Sequence, residues 1–312
     1  MKKMPKNKIM IMAVIIAVIF SNIIILNIIF GNIDLDASSE KNIFYDSLGR
    51  KVKVLKHPKR IISMAPTITE ILYALEVDDR LYGVTTYCNY PVDAQTKTKI
   101  GGFSIPNIEI IVSLEPDLVI WAKEDLNVIE ALEAYDIAIA VIIAHSLDDI
   151  LKNIKDIGVL VDEEEKGKEV SNALKAQMNM ITDKTDTLNP NDKLKSYFEV
   201  WETPKVAGGK SFLHDMIEKA GGISIFGYIN EVFPTVSHES VINENPEVIF
   251  VTAMGRSWYT VDVADRAGYN IIEAVINNRI YECDDDMFTR AGPRIMDALE
   301  NMTRYLYPTL FT

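Results

Sequence analysis

The sequence predicts an α/β protein in which two lobes with mainly parallel sheets are joined by one long helix. Three observations predict it. Residues 163–187 are polar, free of proline and place Val170, Leu174, Met178 and Ile181 at helical spacing, with Ala173 beside them, so a narrow apolar stripe runs along a helix. About 25 residues at 1.5 Å per residue span roughly 37 Å, longer than an ordinary globular helix. On both sides of this segment the chain alternates short apolar runs with short helical patterns, as strands joined by crossover helices do. Finally, residues 107–120 and 237–250 correspond: each reads cap, x, Glu, a short apolar helix, x-Pro-acid and then a strand. A surface crossover helix within one large sheet is the alternative, and the repeated unit favours two related lobes.

The long helix is justified by its ends as well as its stripe. Acidic residues lead it, Lys184 sits near its end in accord with the helix dipole, and Asn189-Pro190-Asn191 stops it. Before it, residues 43–54 read as a hairpin turning at Ser47-Leu48-Gly49. Residues 60–64 form a short buried strand. Thr67-Ile68-Thr69-Glu70 is a capping-box pattern opening a helix over residues 68–75. Strands follow at 81–85, 118–121 and 137–143. Helices are expected at 108–114, capped by Asn107, at 128–135 and from Leu147 onward. After the long helix come a strand at 194–201, a helix at 212–220 closed by Gly221-Gly222, a short helix opened by Ser237, and a strand at 247–252. A helix ending at Ile276, a strand at 279–282, a loop over 283–293 and a final helix to about residue 305 complete the chain.

A length of 312 residues accommodates two domains of ordinary size, and 48% hydrophobic with 25% charged residues is a globular composition. A formal charge of −13 argues against nucleic acid or an anionic membrane surface as the main partner. The N-terminus stands apart. Lys2, Lys3, Lys6 and Lys8 precede an uncharged apolar run over residues 9–30, long enough to span a bilayer and longer than a usual signal-peptide core. No small-x-small cleavage pattern follows cleanly, and no cysteine stands there to carry a lipid. The lysines favour a cytoplasmic N-terminus, so the rest is expected to face outside. Residues 1–31 are therefore read as a signal-anchor, with a cleaved signal peptide as the alternative. Residues 32–42 are a linker, 43–160 the N-terminal lobe, 161–190 the connecting helix and 191–312 the C-terminal lobe.

No enzyme motif stands out. Gly208-Gly209-Lys210-Ser211 ends like a phosphate loop but lacks the earlier glycine, and reads as a turn before a helix. His57, His145, His214 and His238 have no recognisable metal spacing. The run Asp284-Asp285-Asp286 reads as a solvated loop before a cation site. Cys88 and Cys283 fall in different lobes, and a bridge between them would tie the lobes together, but two cysteines are weak support for one. What is unusual is the aromatic content near strand ends: Tyr87, Tyr90, Phe103, Trp121, Trp201, Phe233 and Phe288. Ligands of parallel α/β sheets bind beyond the carboxyl ends of the strands, where aromatics suit a large, flat, partly apolar ligand.

The segments RIISMAPTITEILYAL, GVTTYCNYP, IGGFSIPNIEIIVSLEPDLVIW, FEVWETPKVAGGKSFLHDMIEKAGG, VSHESVINENPEVIFV and FTRAGPRIMDAL resemble those of the extracytoplasmic solute-binding proteins of ABC importers, in the branch for vitamin B12 and iron-siderophore complexes. The likeness covers nearly everything from about residue 43 onward, and the Tyr-Cys-Asn-Tyr-Pro and Gly-Gly-Phe-Ser segments are most similar to cobalamin-binding members. The resemblance implies the class III periplasmic-binding-protein fold: two Rossmann-like lobes on a single backbone helix, with the ligand between them. It also implies roles. Tyr87, Phe103 and Trp121 would line the N-terminal wall of the cleft, and Trp201, Phe233 and Arg290 the C-terminal wall. Where cobalamin binders carry tryptophan, this chain has Phe103 and Phe233, which keeps apolar contact and removes an indole donor. Glu109 and Glu239, one per lobe, would dock on arginines of the membrane permease; favouring their own helix N-termini is the simpler role. The implied protein is not an enzyme and has no intrinsic cofactor or metal. It is expected as a monomer that binds a corrinoid, with cobalt, and hands it to a permease whose ATPase subunits supply the energy. A ferric siderophore or haem is the rival ligand, for which the rim offers Arg290 and Arg256. A metal-dependent enzyme on the same two-lobe fold is the more distant alternative.

Overall fold

The computed structural model describes residues 41–201, 204–252 and 263–311. The expected membrane segment at residues 1–31 and Arg256 lie outside them. No helix among the described residues is long and apolar enough to cross a membrane.

The described residues open with an antiparallel hairpin, β1 (Lys41–Tyr45) and β2 (Lys51–Leu55). Then come β3 (Ile61–Ser63), α1 (Pro66–Ala74), β4 (Leu81–Val84), β5 (Thr98–Lys99), α2 (Ile108–Ser113), β6 (Leu118–Trp121), α3 (Leu126–Glu133), β7 (Ile139–Val141) and α4 (Leu147–Leu160). The five strands form a parallel sheet in the order β5-β4-β3-β6-β7. Next, α5 (Glu164–Thr185) runs unbroken for 22 residues. Beyond it lie β8 (Lys195–Trp201), β9 (Lys205–Val206), α6 (Phe212–Lys219), β10 (Ile223–Ser224), α7 (His238–Glu244), β11 (Val248–Thr252), α8 (Glu273–Ile276), β12 (Ile280–Cys283), α9 (Asp285–Phe288) and α10 (Ile295–Leu306). Here the parallel order is β10-β8-β11-β12, with β9 antiparallel on β8.

The repeated unit has the same local physics in both halves. Asn107 accepts a hydrogen bond from the Ile110 amide and starts α2; Ser237 does the same for the Ser240 amide and starts α7. The residue before each proline, Glu115 and Asn245, is left-handed, with φ of 47° and 48°. The acid after each proline then ties its strand to the central one. Asp117 accepts from the Lys59 and Arg60 amides ahead of β3, and Glu247 accepts from the Lys195 amide at the start of β8.

The face of α5 differs from the expected stripe. Met178 and Ile181 are buried, and Val170 and Leu174 partly so, but Ala173 is exposed. Gly167 and Ser171 form the contact with α4 instead. A Cβ on Gly167 would stand 3.1 Å from the Ile154 carbonyl oxygen and 3.2 Å from the Gly158 Cα, and Ser171 Oγ donates to the Leu151 carbonyl. The helices meet backbone to backbone, which an apolar-residue count does not register. Gly167→Val is expected to destabilise the fold by roughly 1–3 kcal/mol, read as a lower urea midpoint.

One apolar core crosses from half to half. Ile68, Ile71 and Trp121 belong to the same packed cluster as Phe198, Phe212, Phe288 and Met296. Phe288 is thus a core residue and not a site aromatic. A second, smaller cluster around Tyr197, Phe226 and Tyr269 belongs to the C-terminal half.

Candidate functional site

A cavity of about 1160 Å³ lies between the halves. The residues after β3, β4, β5, β6 and β7 wall it on one side, and the ends of β8 and β12, the start of α6 and the segment before α7 wall it on the other. On the second side the lining residues are Val200 and Trp201 at the end of β8, Phe212 at the start of α6, Val232 and Phe233 ahead of α7, and residues within 285–291 after β12, so the cavity lies beyond the carboxyl ends of both parallel sheets, where α/β folds bind ligands.

Five of the six expected wall residues, Tyr87, Phe103, Trp201, Phe233 and Arg290, line this cavity. Tyr87 is 61% exposed, and Trp201 and Phe233 are 38% exposed each, so their rings are available to an occupant. Trp121 is not among them. As the last residue of β6 it is 0% exposed, and Phe103 covers it edge-on at a centroid distance of 6.5 Å. Its side chain points from the sheet into the core, so it supports Phe103 from behind. Tyr90 is also off the wall, beneath the Arg294 guanidinium at 4.1 Å.

Arg290 lines the cavity, but its charge is committed elsewhere. Nη1 donates to Glu70 Oε1 at 2.9 Å and to Asn89 Oδ1 at 2.8 Å, while Nη2 donates to the Tyr87 carbonyl and to Asp286. Arg294 donates to both Glu70 oxygens, at 2.9 and 2.7 Å. Asn89 Nδ2 closes the ring by donating to Asp286 Oδ2 at 2.7 Å. The Glu70 carboxylate holds the Arg294 pKa above its ordinary value. Two carboxylates and two guanidinium groups cancel, so the cluster brings almost no net charge to the cavity.

This clasp corrects two expectations. The helix α1 begins at Pro66 with Ala65 as its cap, and no side chain closes a capping box there. Glu70 is buried and faces the other half of the chain. Likewise the run 284–286 is not a solvated loop: Asp284 caps α9 by accepting from the Met287 amide, and Asp286 holds Arg290. Glu70, Asn89 and Arg294 were missed as cleft-closing residues, because their partners lie about 200 residues away in sequence and no local pattern carries that signal.

The remaining candidates fall as follows. Cys88 and Cys283 are both free and buried. The Cys88 sulfur meets Thr69 Oγ1 at 3.1 Å and Thr85 Oγ1 at 3.2 Å, and burial pushes the Cys283 thiol well above its ordinary pKa. In the phosphate-loop-like segment, Ser211 caps α6. A Cβ on Gly208 would come within 2.4 Å of the Glu231 carbonyl oxygen, and one on Gly209 within 2.2 Å of that of Gly227, so close backbone approach explains both glycines. His145 stands at the cavity wall with Nδ1 2.9 Å from the Lys210 carbonyl oxygen. Glu109 and Glu239 are exposed in the first turns of α2 and α7.

The sequence profile of the family described as periplasmic binding protein matches residues 61–287. The chain belongs to this periplasmic binding protein family. This binding protein is 29% identical over 277 residues to the uncharacterized ABC transporter substrate-binding lipoprotein YvrC of Bacillus subtilis, covering 85% of each chain. It is similar in structure to a possible iron-binding periplasmic solute-binding protein from Staphylococcus epidermidis, with a TM-score of 0.69 and 31% identity over 81% of this chain and 100% of that one. The vitamin B12 binding protein BtuF of Vibrio cholerae is similar at a TM-score of 0.69 and 27% identity, over 80% of this binding protein and 96% of its own length.

Proposed function

We propose that the protein is the extracytoplasmic substrate-binding component of an ABC importer, and that its cargo is a corrinoid, cobalamin or cobinamide. The observation that carries the ligand class is a cavity with exposed aromatic walls whose one arginine among the described residues is already neutralised. A cavity of about 1160 Å³ exceeds the usual range for drug-sized ligands, which suits a large macrocycle. Tyr87, Trp201 and Phe233 offer broad apolar faces to its plane. An anionic chelate calls for free basic groups, and Arg290 is already paired with Glu70 and Asp286. The likeness to a vitamin B12 binding protein supports the same reading. The likeness to a possible iron-binding protein keeps ferric siderophores and haem as the second reading.

In this reading the protein carries its cargo without converting it to a product. Its apolar residues 9–30 tether it to the membrane; the relative YvrC is a substrate-binding lipoprotein, whereas residues 1–31 here contain no cysteine for a lipid. Glu109 and Glu239 meet the permease, whose ATPase subunits supply the energy.

Titration of the full-length chain in detergent with cobinamide, cobalamin, haemin and ferric siderophores, followed by tryptophan fluorescence, tests the assignment. Saturable quenching by a corrinoid is expected. Trp201→Ala should weaken binding roughly 30-fold, the equivalent of about 2 kcal/mol for a buried aromatic anchor. A response to siderophores alone would replace the corrinoid with the second reading.

A further inference from the structure

Resting on the macrocycle reading above, we propose that His145 is a direct ligand to the metal of the cargo, its Nε2 occupying an axial position of the metal at the centre of the bound ring. His145 lies on the segment between β7 and α4, at the carboxyl end of its sheet, and lines the cavity. Its side chain is exposed, so an occupant can reach it. Its backbone is anchored: the His145 amide donates to Asp149 Oδ2 at 3.0 Å, inside the capping box that starts α4.

The decisive contact is on the ring. Nδ1 stands 2.9 Å from the Lys210 carbonyl oxygen, in the other half of the chain. A carbonyl oxygen only accepts, so Nδ1 carries the proton. In the neutral imidazole this places the lone pair on Nε2, the tautomer that binds metals. Among the described residues, Nε2 has no hydrogen-bond partner. A backbone carbonyl on the distal nitrogen is also the arrangement that orients metal-binding histidines and raises their basicity.

Other donors serve less well. His57 is paired with Asp162, His238 meets Tyr269 Oη, and neither they nor His214 line the cavity. Cys88 is buried and held by two threonines. Tyr87 is the rival on the wall, exposed and tied by its backbone carbonyl to Arg290, whereas His145 is held at both its backbone and its ring.

The step is a ligand exchange. The Nε2 lone pair forms the bond to the metal and a coordinated water leaves, with no change of oxidation state. The cargo must therefore carry a metal with an exchangeable axial position. A chelate that already saturates its iron does not qualify.

The test uses the full-length chain in detergent with diaquacobinamide and, separately, haemin. Binding is read by tryptophan quenching, and coordination by the visible absorption of the bound ring. For reduced cobalt(II) cobinamide, nitrogen splitting in the electron paramagnetic resonance spectrum reports the axial donor. Wild type should show an imidazole-type shift and splitting from one nitrogen. His145→Ala should keep its thermal midpoint, bind about tenfold more weakly and lose both signatures, and added imidazole should restore them. Tyr87→Phe should retain them. Saturable binding without the shift in wild type, or a shift that survives in His145→Ala, overturns the proposal. No saturable binding of either ring removes the macrocycle reading and this proposal with it.

Discussion

Glu70→Ala is expected to destabilise the folded chain by about 3–5 kcal/mol, because it leaves two partly buried guanidinium groups without their shared counter-ion. Glu70 Oε1 receives both Arg290 and Arg294, and Oε2 receives Arg294 as well. The carboxylate side chain is 2% exposed, so water cannot take its place. Urea unfolding followed by circular dichroism measures the loss, and a cost below about 1 kcal/mol would show that the clasp holds nothing. Glu70→Gln separates shape from charge. It keeps the side-chain shape and leaves the cluster of Arg290, Arg294 and Asp286 with one surplus positive charge beside the cavity. That variant should be destabilised, yet should bind anionic haemin or a ferric siderophore more tightly than wild type does.

Reversing both charges proposed to meet the permease, in Glu109→Arg with Glu239→Arg, should abolish cargo uptake by cells while leaving cargo affinity unchanged. Both side chains are exposed in first turns, on α2 and α7, and neither lines the cavity. Losing a charged pair at an interface and replacing it with repulsion costs several kcal/mol, so capture of the permease should weaken by roughly 30-fold or more. Uptake of labelled cobinamide, alongside its affinity for the purified variant, decides the matter. Normal uptake would reduce both glutamates to partners of their own helix dipoles. The reversal removes favourable dipole contacts of at most about 1 kcal/mol each, too little to unfold the chain.

The elements legible in the sequence are those fixed by short-range chemistry. The long helix follows from its polarity, its stripe and its lack of proline, and the caps Asn107 and Ser237 each act within three residues. The two x-Pro-acid units, Glu115-Pro116-Asp117 and Asn245-Pro246-Glu247, are legible for the same reason: proline and the turn before it constrain their own neighbours. The cavity aromatics were legible as a set, since strand ends are readable and parallel sheets bind ligands there. Trp121 shows the limit. Nothing in Leu-Val-Ile-Trp says which face the final residue takes, and it turned inward beneath Phe103. Glu70 shows another. Its spacing from Thr67 fits a cap, but a partner 224 residues away claims it. Gly167 and Ser171 are not legible as contact residues, because small residues that permit close approach carry no hydrophobic signal.

The apolar core that crosses from one half to the other has a consequence for traffic at the membrane. A carrier whose halves share packed side chains holds nearly the same outline whether loaded or empty. A receptor reading only the distance between two surface glutamates then sees little difference between them. Empty carriers would occupy the same landing place as full ones, and at high abundance would slow the import they serve. Delivery would depend on the ratio of filled to vacant copies, and thus on cargo supply, more than on any signal sent through the fold.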